Sequence, residues 1–170
     1  FVRGLNFYLP DEISVKAAYR TGDDFDPRRM AVSRRYRYTM DCGSEPSPLN
    51  RLTAYHAGDS LNIRRMQGAA RYYTGRRDFA GFAGPLEKAG ASTFREVYES
   101  KVRRDGDAAV FEVEANSFLP HQVRRMAGAL VEIGRGRLTV ADFKAMIGGQ
   151  AGNGAAPTLP AHGLCLLKVN

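Results

Sequence analysis

A length of 170 residues with 44% apolar and 25% charged content fits one domain, 1–170, with an ample core, and no apolar run is long enough to span a membrane. Lys and Arg outnumber Asp and Glu by 25 to 18, and the excess is mostly arginine, which favours a polyanionic partner such as nucleic acid and, more weakly, an anionic membrane surface. Cys42 and Cys165 stand alone and His56, His121 and His162 are scattered, which speaks against a bound metal and suits a reduced, cytoplasmic protein.

The chain begins at Phe1 without a methionine and runs straight into Leu5-Asn6 and Leu9-Pro10, so it reads as a cut from a longer protein. Ile13, Val15 and Ala17 alternate with polar or small residues and predict a strand. Tyr36, Tyr38 and Met40 alternate with Arg35, Arg37 and Thr39, predicting a second strand with an aromatic and a basic face. Gly43 to Asn50, with two prolines, is a loop. Asn62 reads as a helix N-cap, with Leu61 and Met66 placed as a hydrophobic staple. Ile63, Met66, Ala70 and Tyr73 continue the apolar face, and Gly75 suits the helix end. Arg76-Arg77 then read as a solvated turn.

A strand over roughly 95–103 turns at Asp105-Gly106 into 109–115, where Ala109, Phe111, Val113 and Ala115 share a face. Val123, Met126, Ala127 and Leu130 recur at helical spacing, so one face of a helix running to about Gly134 is committed to a core. Arg124 then lies at the edge of that face, as a planar cationic fork suited to a carboxylate or a phosphate. Thr139 and Asp142 resemble a capping box for a shorter helix, Gly148 to Thr158 is a Gly/Ala-rich loop, and Leu164 to Val169 is a last strand. Strands, hairpins and helices in this mixture predict an α+β fold: a mainly antiparallel sheet with helices on one face.

Arg34-Arg35-Tyr36-Arg37-Tyr38 interleaves cations with aromatics and could stack a base while holding the backbone, but pattern alone favours tyrosines that face the core and arginines that are solvated. Read alone, Asn116 and His121 are local cap or turn groups. No Ser/His/Asp grouping or phosphate-binding glycine loop is present.

Several short motifs occur in one order: Leu5-Asn-x-x-Leu9-Pro10, Asp24-Phe25, Arg35-Tyr36-Arg37-Tyr38, Gly75-x-x-Asp78-Phe79-x-x-Phe82, Asn116-x-Phe118-Leu119-x-His121-x-Val123-Arg124 and Gly163-Leu164-x-Leu166. Together they resemble the tRNA pseudouridine synthase A family over essentially the whole chain, most specifically from Phe118 to Gly128. The resemblance implies an α+β enzyme, homodimeric when complete, that binds tRNA in a basic cleft. It would isomerise uridine to pseudouridine in the anticodon arm, using no cofactor and no metal.

By the same resemblance, Tyr36 would stack on the target uridine and take part in proton transfer. Arg124 would pair with the catalytic aspartate, and Leu164 would line the base pocket. Arg35, Arg37, Asn116, Phe118 and His121 complete the expected substrate-binding set.

The sequence departs from the family pattern where it matters most. The Gly-Arg-Thr-Asp-x-Gly-Val motif that carries the nucleophilic aspartate is absent; Gly75-Arg76-Arg77-Asp78 looks like it but falls on the Asp-Phe-x-x-Phe segment. Asp26-Pro27, Gln122 and His162 also replace the usual residues. The expectation is the C-terminal, catalytic and RNA-binding portion of a synthase, inactive alone. The rivals are a non-catalytic RNA-binding module and a dimerisation domain without an RNA role.

Overall fold

The computed structural model describes residues 1–58, 60–86, 90–148 and 156–170, in two compact units, Phe1–Met30 and Ala31–Asn170. The first holds one short helix, α1 (Val2–Tyr8). The strand expected around Ile13, Val15 and Ala17 does not form. The Asn6 side chain takes both backbone groups of Val15 instead: its Nδ2 donates to the Val15 carbonyl at 2.9 Å, and its Oδ1 accepts the Val15 N–H at 2.7 Å. Val15 therefore offers no ladder groups to a neighbouring strand.

In the second unit the elements run β1 (Arg34–Asp41), β2 (Tyr55–His56), α2 (Ile63–Ala70), β3 (Gly75–Asp78), β4 (Phe94–Asp105), β5 (Ala108–Ala115), α3 (Gln122–Gly134), α4 (Val140–Ile147) and β6 (Leu164–Val169). The sheet order is β2-β1-β5-β4-β3, with β6 also pairing β1. β1 and β2 pair in parallel; β1 with β5, β1 with β6, β3 with β4 and β4 with β5 are antiparallel. This is the predicted α+β arrangement. The Asp105-Gly106 turn joins β4 to β5, with Gly106 at φ 57°, a left-handed conformation that glycine adopts without a Cβ penalty.

Alternation decides the layers. Tyr38 and Met40 of β1, Phe111 and Val113 of β5 and Val97 and Val102 of β4 are buried against Met126, Leu130 and Ile133 of α3. Asn62 caps α2 by accepting the Arg65 N–H at 3.1 Å, and Leu61 and Met66 are both buried, as the staple requires. Thr139 Oγ1 accepts the Asp142 N–H at 3.1 Å and donates to the Asp142 carboxylate at 2.6 Å, closing the first turn of α4. The segment expected as a Gly/Ala-rich loop, Gly148 to Thr158, lies largely outside the described residues.

The sequence misleads at Arg76-Arg77. These residues are not a solvated turn but part of β3, paired with Glu96 and Arg95 of β4. Gly75, at φ 97°, turns the chain out of the short helical turn that follows α2 and into this edge strand. The Asp-Phe-x-x-Phe segment has a packing role: Phe79 and Phe82 are fully buried beside Tyr73, Phe111 and Phe143, with the Tyr73 and Phe143 rings 5.0 Å apart and steeply inclined. The Tyr73 hydroxyl donates to the Met126 carbonyl at 3.0 Å and ties this cluster to α3.

Candidate active site

A hollow of ≈ 260 Å³ opens between β1, the turn before α3, the first turn of α3 and the start of β6. It is just below the usual range of ligand clefts, about 300–1,000 Å³, and of a size for a flat base. Tyr36, Phe118, His121, Arg124 and Leu164 line it, with Leu119, Gln122, Val123 and Ala161. Five of the expected site residues thus meet in one place, from three separate stretches of chain.

Each wall has a local cause. Tyr36 and Tyr38 project from the same face of β1, but their fates differ. Tyr38 is fully buried, and its hydroxyl donates to the Pro160 carbonyl at 2.7 Å. Burial raises its pKa far above the ordinary phenol value and keeps it a neutral donor. Tyr36 is half-buried and its ring meets Phe118 edge-on, centroids 5.2 Å apart at 88°. Its phenol oxygen makes no hydrogen bond among the described residues.

Arg124 is held from two sides. Its Nε donates to the Leu159 carbonyl at 2.5 Å, and its Nη1 lies 3.2 Å from His121 Nδ1. A guanidinium has five N–H donors, so most of the fork stays available. Among the described residues no carboxylate lies within ion-pair distance of it. His121 stands at the N-cap of α3 in the left-handed conformation, φ 59°. The approach is tight: a Cβ on Gly84 would fall 2.6 Å from the His121 ring and 3.1 Å from the Pro120 carbonyl. Gln122, buried, accepts the Leu119 N–H at 2.8 Å and fixes the turn that leads into α3.

The structure does not bring Arg35, Arg37 or Asn116 into the hollow. Arg35 and Arg37 alternate onto the opposite face of the sheet. Arg35 donates through Nε and Nη2 to Glu114, at 2.9 and 2.7 Å, and pairs with Glu99 at 2.6 Å. Arg37 donates through the same two nitrogens to Glu112 at 2.9 and 2.8 Å. The Ser33 hydroxyl, then Arg35, hold the Glu114 carboxyl below its ordinary pKa. Asn116 Oδ1 accepts the N–H groups of Glu96 and Ser117, a turn role. Asp78, in the sequence that mimics the nucleophile motif, sits on β3, three strands from β1, or roughly 14 Å at about 4.8 Å per strand. Its Oδ1 is already bonded to the Thr93 hydroxyl and the Ala80 N–H.

Sequence reasoning missed the segment before β6. Leu159 anchors Arg124, Pro160 anchors Tyr38 and Ala161 lines the hollow. The available signal was two glycines. A Cβ on Gly128 would fall 2.0 Å from the Pro157 carbonyl oxygen, and one on Gly163 would fall 2.7 Å from the Tyr38 ring. Both allow this segment to lie directly on α3 and β1.

A family profile described as tRNA pseudouridine synthase matches residues 69–170. A tRNA pseudouridine synthase A of Geobacter sulfurreducens is 42% identical over 169 residues, covering 99% of this chain and 69% of the relative. The chain belongs to the tRNA pseudouridine synthase family. A relative of the same name from Myxococcus xanthus is 38% identical over 170 residues, with 99% of this chain and 64% of that protein covered. The match to the synthases includes α3, β5 and β6, and so most walls of the hollow; β1 lies before the profile but within the longer pairwise matches. Among the described residues, no helix of this synthase-family chain is long and apolar enough to cross a membrane.

Proposed function

We propose that the hollow receives the target uridine of a tRNA anticodon arm and that Arg124 holds a nucleophilic carboxylate supplied from outside these residues. The reaction is an isomerisation. The bond from the ribose to the base nitrogen breaks, a bond to a base carbon forms, the proton on that carbon leaves, and the nitrogen ends protonated. No atom is gained or lost overall.

Each residue type suits a step. A carboxylate attacks only when ionised and aimed, and a guanidinium fork favours its charged form while fixing its plane. The Tyr36 ring and the Leu164 side chain form an aromatic floor and an apolar wall, between which a detached base can turn. Extruding the base from its stack costs a few kcal/mol, and stacking on an aromatic ring returns about 1–3 kcal/mol per base. The unbonded phenol oxygen of Tyr36 is available for a proton at the base. Homodimerisation of the complete enzyme belongs to the same reading.

The observation that carries this reading is the meeting of Tyr36, Arg124 and Leu164 around one hollow in a chain of this family. On this reading the 170-residue chain alone makes no pseudouridine, because among the described residues no carboxylate lies within ion-pair distance of the fork. A non-catalytic RNA-binding module would also lack that carboxylate. Pseudouridine formation in unmodified tRNA, followed by mass spectrometry for the complete protein, separates the two: turnover supports the synthase, and binding without turnover supports the module.

A further inference from the structure

A second cleft, of ≈ 540 Å³, lies between the edge strand β3, the start of β4 and the end of α4, away from the hollow. Its lining includes Tyr72, Arg76, Arg77, Phe94 and Lys144. Two cation–aromatic pairs organise it. The Lys144 ammonium lies 4.3 Å from the Tyr72 ring centroid, and the Arg76 guanidinium 6.0 Å from that of Phe94. Both rings are substantially exposed, Tyr72 at 38% and Phe94 at 50%.

Among the described residues, three cations face a single carboxylate in this lining. The carboxylate in the lining is Asp78, whose Oδ1 is engaged by Thr93 and Ala80. Arg76 stands opposite Glu96 in the ladder, yet neither it nor Arg77 nor Lys144 has a carboxylate within 4.0 Å among the described residues. Arg77 spends its Nε on the Thr74 carbonyl, which aims the side chain and leaves the terminal nitrogens for a ligand. The outer face of the sheet is the opposite case: Arg35, Arg37, Lys101 and Arg103 are all answered by Glu99, Glu112, Glu114 or Asp105. The net charge of +7 is therefore not spread evenly. Tyr72 also borders a neighbouring groove of ≈ 520 Å³ that contains Arg65, so the aromatic and basic character continues along α2.

Unpaired cations beside exposed rings are what a flexible polyanion with flat bases requires: point charges and forks for phosphates, and π-faces for bases. Resting on the tRNA reading above, we propose that this cleft is a second RNA-contact surface, in which Arg76, Arg77 and Lys144 take backbone phosphates and Tyr72 and Phe94 take the face of a base or ribose. It holds the RNA at a distance from the reacting uridine, so it contributes to affinity and orientation and not to the chemical step.

The test is the affinity of the 170-residue chain for fluorescently labelled, unmodified tRNA by anisotropy over a salt series. Four proteins are compared: the unaltered chain, the R76S/R77S/K144S variant, the Tyr72→Leu variant, and a charge-matched control, R51S/R104S/K168S, at exposed positions outside both clefts. The cleft variant is expected to bind about tenfold or more weakly, with its log Kd–log salt slope reduced by roughly 0.7–0.9 for each phosphate that is no longer neutralised. The control is expected to stay within about twofold, as counterion release depends on charges that touch phosphate. Tyr72→Leu, which removes a π-face and no charge, is expected to weaken binding about fivefold or more with the slope unchanged. Equal weakening by both triple variants, no weakening by the cleft variant, or no tRNA binding by the unaltered chain would each overturn the proposal. None of these results touches the synthase reading, which is judged by pseudouridine formation in the complete enzyme.

Discussion

The Nε of Arg124 donates to the carbonyl of Leu159 at 2.5 Å, joining the first turn of α3 to the segment that enters β6. One N–H of the fork is spent on the protein's own backbone, and that bond sets the direction in which the others point. An exposed arginine would lose side-chain entropy on meeting an anion. This one has lost part of it already.

Replacing Arg124 in the complete enzyme is therefore expected to act on the chemical step. Arg124→Ala should lower kcat by about 10²–10³-fold or more, the scale seen when a preorganised charge-stabilising donor is removed. Arg124→Lys keeps the charge but not the fork and should recover only part of the loss. Single-turnover pseudouridine formation and tRNA affinity, measured side by side, check this: the rate should fall while affinity moves by less than about threefold. A near-normal rate for Arg124→Ala removes the arginine from the chemistry.

Tyr36 offers a ring and a hydroxyl, and two substitutions separate them. Tyr36→Phe keeps the edge-on contact with Phe118 and any stack on the base, so it should lower kcat with little change in tRNA affinity. Tyr36→Leu removes the stack as well and should weaken binding by about 1–3 kcal/mol. Should the two variants behave alike in both measurements, the hydroxyl has no separate role.

Gly128 should tolerate no side chain. A Cβ there would lie 2.0 Å from the Pro157 carbonyl oxygen, so Gly128→Ala must push that segment off α3. A loss of about 1–3 kcal/mol in urea-unfolding free energy is expected, as for overpacking elsewhere. The displaced segment carries Leu159 and Pro160, so Arg124 and Tyr38 lose their anchors together. A stability equal to that of the unaltered chain would show that the segment can move away without cost.

The charged outer face of the sheet predicts an acid sensitivity. The Glu114 carboxyl is held below its ordinary value of 4.5, first by the Ser33 hydroxyl and then by Arg35. A carboxyl with a depressed folded-state pKa adds stability that is complete above its unfolded pKa and is lost as pH falls through the folded one. The thermal midpoint should therefore drop on acidification below about pH 4.5. Glu114→Gln should be less stable at neutral pH and show a shallower drop. Parallel curves for the two proteins would remove Glu114 from the acid response.

Much of the hollow was legible because it is built from strong periodic signals. The alternation around Tyr36 and the helical stripe around Arg124 each place a side chain on a known face. Two things were not legible. Tyr36 and Tyr38 share that face, and only the chain near Pro160, which covers Tyr38 and leaves Tyr36 half-open, tells them apart. That contact spans 122 residues of sequence, and only the need for glycine at 128 and 163 hints at it. The short strand through Arg76 and Arg77 carries no alternation of apolar residues and owes its existence to pairing with β4. In the other direction, Ile13, Val15 and Ala17 alternate well but Asn6 takes the backbone groups of Val15. Local pattern proposes a strand, and the fate of its hydrogen-bonding groups decides it.

The most direct test is to incubate the 170-residue chain with unmodified tRNA and count pseudouridine by mass spectrometry, alongside the complete enzyme. The account predicts product from the complete enzyme and none from the chain, whose Arg124 guanidinium has no carboxylate within ion-pair distance among the described residues. Pseudouridine made by the chain alone would contradict it and would place the nucleophile among these residues.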